Sequence, residues 1–275
     1  MKKRFQELDL KHAFLFAAAM EDAEICRLVL EIILDRKIPK VKVHTEHSIL
    51  VSSDLRSVRL DVYASDEMQV SYNVEAQNEK EKNLAKRSRY HQAEMDVASL
   101  QPGDDFNDLQ PGYVIFICTF DPFGEGLYRY TFEERCLERD IGLGDGTQKI
   151  FLNMKGTNEK EVPLELVHFL HYMEQSTDEY VAKISDEPIA RLHEKVMTLK
   201  NWRKLEERYM TGEELLRREK ARGKAEDVLE LLSDCGTVPT ELVDRIFEER
   251  NSETLKKWLR LAANAKTLEE FQEKM

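Results

Sequence analysis

Asp61 and Glu75 are the residues of this chain whose types and spacing best suit joint chemistry. They lie in Arg59-Leu60-Asp61-Val62-Tyr63 and Asn73-Val74-Glu75-Ala76-Gln77, fourteen residues apart. Both runs alternate apolar and polar residues, and Ser65-Asp66-Glu67-Met68-Gln69 separates them, so the pair reads as a β-hairpin. Folding about Met68 sets residue i opposite residue 136 − i, so Asp61 is expected to face Glu75, Arg59 to face Gln77 and Tyr63 to face Asn73. Directly opposed side chains lie about 5 Å apart at Cβ, and like charges there repel. A divalent cation between the carboxylates would relieve that repulsion; an ordinary solvated strand face is the alternative.

Val58, Leu60, Val62, Val74 and Ala76 occupy the other pleat face and are expected to supply its buried side. Asp61, Glu75 and Gln77 then face a cleft, a helix or solvent. Ahead of the hairpin, residues 12–20 are apolar almost all round and read as a buried helix, and Ala23 to Leu34 as a second one. Val41 to Val51 alternates and reads as a strand. After Gln77 the apolar spacing becomes helical through Leu84, Tyr90, Met95 and Leu100, until Gln101-Pro102-Gly103 stops it. Tyr113 to Cys118 is continuously apolar, as expected of a strand buried on both faces. Leu127 to Phe132 and Lys149 to Leu152 are two further short strands.

The helix after the hairpin is basic. From Lys80 to Gln92, Lys80, Lys82, Lys86, Arg87 and Arg89 oppose Glu81 alone, a local net charge of +4 in a chain whose formal charge is −12. Lys86, Arg87 and Arg89 would come to the same end of the sheet as the two acids, where they suit phosphate contacts. Cys26, Cys118, Cys136 and Cys235 form no C-x-x-C pair and read as reduced thiols. No apolar run approaches the roughly 20 residues that span a bilayer, and the start of the chain lacks a signal-peptide pattern, so a cytoplasmic protein without membrane partners is expected.

The expected organisation is an α/β core over 1–165, long helices over 166–222 that pack on the core or dimerise, and a small helical appendage over 223–275. Leu192, Val196, Leu199, Trp202, Leu205 and Tyr209 form one apolar stripe on what reads as a single long helix, a candidate homodimer surface. Val228–Leu232, Leu242–Phe247, Leu255–Leu261 and Leu268–Phe271 read as short helices, with Thr240, Ser252 and Thr267 as caps. His44, His47, His91, His168 and His171 show no metal-ligand spacing and read as surface or packing residues. Gly142 to Gly146 reads as a turn.

Taken in order, the two hairpin runs, Lys86-Arg87-Ser88-Arg89-Tyr90, Tyr113-Val114-Ile115-Phe116-Ile117 and Asp121-Pro122-Phe123-Gly124 resemble the Rpn family of recombination-promoting nucleases and transposases, within the PD-(D/E)XK nuclease superfamily. The resemblance covers roughly residues 12–200. It implies a restriction-endonuclease-like mixed sheet flanked by helices, with an all-helical C-terminal region beyond, and Mg²⁺- or Mn²⁺-dependent hydrolysis of DNA phosphodiester bonds. Asp61 and Glu75 match the family's acids and imply the metal ligands. Gln77 stands where the wider superfamily usually has Lys, giving catalytic positions Asp61, Glu75 and Gln77. Arg89 and Tyr90 match the helix motif, and Gln92 belongs beside them, so Lys86, Arg87, Arg89, Tyr90 and Gln92 form the expected DNA-binding set.

An amide does not titrate, so Gln77 can orient a water but cannot act as the general base that a Lys can be. Lys11-His12-Ala13-Phe14 also lacks the acid that many family members place just before this Phe, which leaves a one-metal site, a contribution from Asp9 or reduced activity as the alternatives. These two departures motivate the rival reading, a weakly catalytic binding or regulatory protein on a nuclease fold, with the helical tail as its partner surface.

Overall fold

The computed structural model describes residues 4–44, 62–67 and 69–275, with Val62 described in its backbone alone. Asp61, Arg59, Met68 and the far half of the strand expected over 41–51 lie outside the described residues. The chain forms two compact units, divided between Leu205 and Glu206.

The first unit is built on a six-stranded mixed sheet of β1 (Val41–His44), β2 (Val62–Asp66), β3 (Ser71–Gln77), β4 (Gly112–Cys118), β5 (Arg129–Phe132) and β6 (Thr147–Asn153), in the order β1-β2-β3-β4-β6-β5. β1, β2 and β3 run antiparallel, β3, β4 and β6 run parallel, and β5 closes the edge antiparallel to β6. The β2–β3 register is Val62 to Val74, Tyr63 to Asn73, Ala64 to Tyr72 and Ser65 to Ser71, so every pair sums to 136, as the alternation implied. Asp66 holds the turn: its Oδ1 accepts from Val70 N at 3.0 Å, and its backbone oxygen accepts from Gln69 N, where φ is +63°. β4 lies between two parallel neighbours, and Val114 to Cys118 are completely buried.

Helices cover both faces of this sheet. α1 (Ala13–Met20) and α2 (Ala23–Leu34) start within a residue of where the sequence placed them, and Asp22 caps α2 by accepting from Glu24 N and Ile25 N. They pack against β3 and β1, with α2 also meeting α4 (Leu164–Glu174) and α6 (Glu187–Lys200). α5 (Asp178–Ile184) lies beside α4 and α6. α3 (Leu84–Ser99) covers the other face, where Leu84 and Met95 pack on Val114, Phe116, Cys118, Tyr130 and Phe151.

The long helix expected through Leu192 and Tyr209 is two helices. α6 ends at Lys200, Asn201 caps it, and α7 (Arg203–Ser233) starts after Trp202, which is 51% exposed. Leu192 and Val196 are fully buried, as α6 packs on α2 and α4. The core of the first unit therefore accounts for this half of the apolar stripe, and it lends no support to a homodimer.

The second unit holds the remainder of α7 with α8 (Thr240–Glu248), α9 (Ser252–Ala262) and α10 (Leu268–Lys274) around Val228, Leu232, Leu242, Ile246, Leu255, Trp258 and Phe271. Val228 to Leu232 is the end of α7, not a separate helix. Thr267 caps α10 as expected, accepting from Glu270 N at 3.2 Å. Asn251, not Ser252, caps α9, its side chain accepting from Glu253 N and Thr254 N, so the helix starts at Ser252 itself. α8 follows Pro239 without a side-chain cap, and Thr240 is its first residue. Among the described residues no helix is long and apolar enough to cross a membrane.

Candidate functional site

The pleat of β3 places Ser71, Asn73, Glu75 and Gln77 on one face, and all four are buried. This face meets the inward side of α3, where Arg87, Ser88, His91 and Gln92 recur at helical spacing. Of the surroundings the sequence allowed for these acids and amides, a covering helix is the one found. Glu75 is 6% exposed, Arg87 9% and His91 1%.

Arg87 is the hub. Its Nη2 donates to Glu75 Oε1 in a short, buried ion pair, while its Nη1 donates to Gln77 Oε1 at 3.1 Å and to Glu81 Oε2 at 3.3 Å. The guanidinium carbon stands 5.5 Å from the centre of the Phe116 ring beneath it. Gln77 is held at both ends, since its Nε2 donates to Glu79 O at 2.6 Å. His91 brings Nε2 to 3.5 Å from Glu75 Oε2, and its Nδ1 lies 3.2 Å from Glu94 Oε2.

Glu75 Oε2 accepts no hydrogen bond among the described residues, and Asn73 Oδ1 and Gln92 Oε1 on the same interface are likewise buried without one. Buried acceptors are rarely left so, and such a group marks a bound water, an ion or a functional role. Phe116 and Cys118 are fully buried beneath this interface, and burial pushes the Cys118 thiol up to about 12, although Arg87's charge pulls the other way. A hard divalent cation takes oxygen ligands, and Glu75 Oε2 fits one by type and by its open valence. No group of three His, Cys, Asp or Glu side chains is disposed around a common point among the described residues. Asp61, the second expected ligand, lies outside them.

The expected DNA-binding set divides. Lys86, Arg89 and Tyr90 are on the exposed side of α3, Tyr90 being 57% exposed. Arg87 and Gln92 are buried; Gln92 Nε2 donates to Asp96 Oδ1 at 3.0 Å. Asp9, the substitute acid, has its Oδ1 accepting from Ser176 N at 3.2 Å. From the sequence His91 reads as a surface or packing residue and Glu81 only as the charge opposing the basic run; the structure brings both to the site. His91 falls one helical turn after Arg87, and that i, i+4 relation to an inward-facing Arg is the signal that places it beside Glu75.

A mixed sheet with a buried carboxylate on a central strand, beneath a helix with a basic outer side, defines a nuclease-like α/β core. The chain matches the family model described as PD-(D/E)XK nuclease family transposase over residues 7–226, and it belongs to that family. No curated protein and no solved structure matches it.

Proposed function

We propose that this protein is a metal-dependent endonuclease that hydrolyses DNA phosphodiester bonds in recombination or mobile-element biology. The observation that carries the reading is Glu75 Oε2, a buried carboxylate oxygen without a hydrogen bond among the described residues, in a chain of a nuclease family. Glu75 and Asp61, the two acids that the sequence pattern pairs across the hairpin, would hold Mg²⁺ or Mn²⁺. When bound, the ion supplies acidity to water and stabilisation to charge developing on phosphorus.

The remaining roles fall to the chain itself. Lys86 and Arg89 attract the phosphates, and Tyr90 offers an exposed ring on which a base or sugar can rest. Gln77 acts through orientation, because its amide does not titrate and both of its polar ends are engaged within the protein.

The test is nicking of supercoiled plasmid by purified protein in Mg²⁺ or Mn²⁺, against EDTA and against Asp61→Ala and Glu75→Ala. Cleavage that depends on the ion and is lost in both variants supports the reading. Equal cleavage by the variants overturns the site. A folded native chain that binds DNA without cutting it under any of these ions overturns the activity in favour of the regulatory alternative.

A further inference from the structure

Arg87 has the residue type of a phosphate ligand, but its surroundings give it another task. Its guanidinium is buried, and among the described residues three acceptors on different parts of the chain share it: Glu75 on β3, Gln77 two residues on, and Glu81 in the loop before α3. The Phe116 ring closes it from below. Reaching a DNA phosphate would mean leaving these partners and emerging from beneath α3.

We propose that Arg87 is a positioning residue that presents Glu75 Oε2 to a divalent cation. The proposal rests on the metal-site reading of Glu75. The fork of Arg87 ties down Oε1, fixing the rotation of the carboxyl group and leaving Oε2 without a hydrogen bond among the described residues, with His91 Nε2 at 3.5 Å. Gln77 and Glu81 hold the fork in turn, which gives Gln77 a function that needs no titration. Charge favours the same arrangement: among the described residues, Glu75, Glu81 and Glu94 bring three formal negative charges around the positive charge of Arg87, with His91 and Cys118 as further titratable groups beside them. These described groups therefore keep a net negative formal charge with Arg87 in place, which favours entry of a cation without displacing it. Groups that orient a ligating carboxylate generally change metal affinity on the order of 10–100-fold when removed. A Lys keeps the charge but cannot span two acceptors as the planar fork does.

The experiment is calorimetric titration of the full chain with Mn²⁺, alongside DNA binding measured in EDTA over a range of salt. Arg87→Lys is expected to weaken Mn²⁺ binding on the order of 10–100-fold and to leave DNA affinity and its salt dependence near native. Glu81→Gln, at a partly exposed residue that tolerates change, is expected to weaken Mn²⁺ in the same direction by a smaller factor; it decides the matter if the Lys variant fails to fold. Native Mn²⁺ affinity in both variants overturns the proposal. Tighter Mn²⁺ binding in Arg87→Lys does so too, by showing that Arg87 competes with the cation, and a flattened salt dependence does so by making Arg87 a phosphate ligand. Mn²⁺ binding that is absent from the native chain, or unchanged in Glu75→Gln, instead removes the metal-site reading beneath the proposal.

Discussion

Glu75 and Arg87, twelve residues apart, form an ion pair between a central strand and its covering helix that engages one carboxylate oxygen and leaves the other without a hydrogen bond among the described residues. A buried pair of this kind contributes little when compared with well-packed apolar residues, but losing one partner strands the other charge. Glu75→Leu is therefore expected to destabilise the first unit by about 3–5 kcal/mol. Glu75→Gln, whose amide oxygen can still accept from Arg87, should cost clearly less. Urea denaturation followed by circular dichroism distinguishes the two, and equal losses would show that the pair is not what holds α3 to β3.

Lys86 and Arg89 are expected to act on DNA through charge alone. Each substitution by Ala should lower affinity for every sequence alike and reduce the slope of log K against log salt by about one phosphate contact. Fluorescence anisotropy with two unrelated duplexes at several salt concentrations measures both quantities. A change confined to one duplex would point to base reading instead.

Asp121 gives the fold an acid-sensitive latch. Burial raises its pKa, but the N–H groups of Gly124, Gly126 and Phe123 and the Tyr130 hydroxyl outweigh that and hold the carboxyl below its usual range. A carboxylate whose folded pKa is depressed contributes stability that is complete above its unfolded pKa, about 4, and is lost as pH falls through the lower folded value. Asp121→Asn should lower the melting temperature at pH 7, and the gap from native should close below about pH 4. A gap that stays constant from pH 7 to pH 3 would mean that the turn depends on shape and not on charge.

Gly156 has no room for a side chain. A Cβ there would overlap the Tyr128 ring and come within 2.7 Å of the Tyr128 Cα, a backbone atom that cannot swing aside. Gly156→Ala is expected to cost about 1–3 kcal/mol, as overpacking usually does. Gly212→Ala, where nothing lies within 4 Å, is the matched control and should be neutral or slightly stabilising. Thermal melts of the pair check both, and a neutral Gly156→Ala would show that Tyr128 can move.

Elements whose signal is local were legible in the chain. The alternation of Tyr63 and Asn73 about one turn carried the hairpin register, because side-chain direction in a strand follows from parity alone. The bounds of α2 were equally plain from its apolar spacing, and the structure adds the cap at Asp22. The break after Lys200 was not, since the apolar stripe runs on in spacing across Asn201 and Trp202, and periodicity cannot report a change of direction.

The order of residues by itself determined the family, the mixed sheet with its covering helices, and Glu75 as an acid sharing a face with Gln77. Only the tertiary structure decided what those residues touch. Arg87 and Arg89 are the same residue type two positions apart, yet a helix turns them about 200° from each other, so one is buried against Glu75 while the other meets solvent. That division depends on how α3 is rolled against β3 and β4, which Leu84, Met95, Val114 and Phe116 settle together by packing. No local pattern encodes it, because it is the sum of contacts between segments distant in the chain.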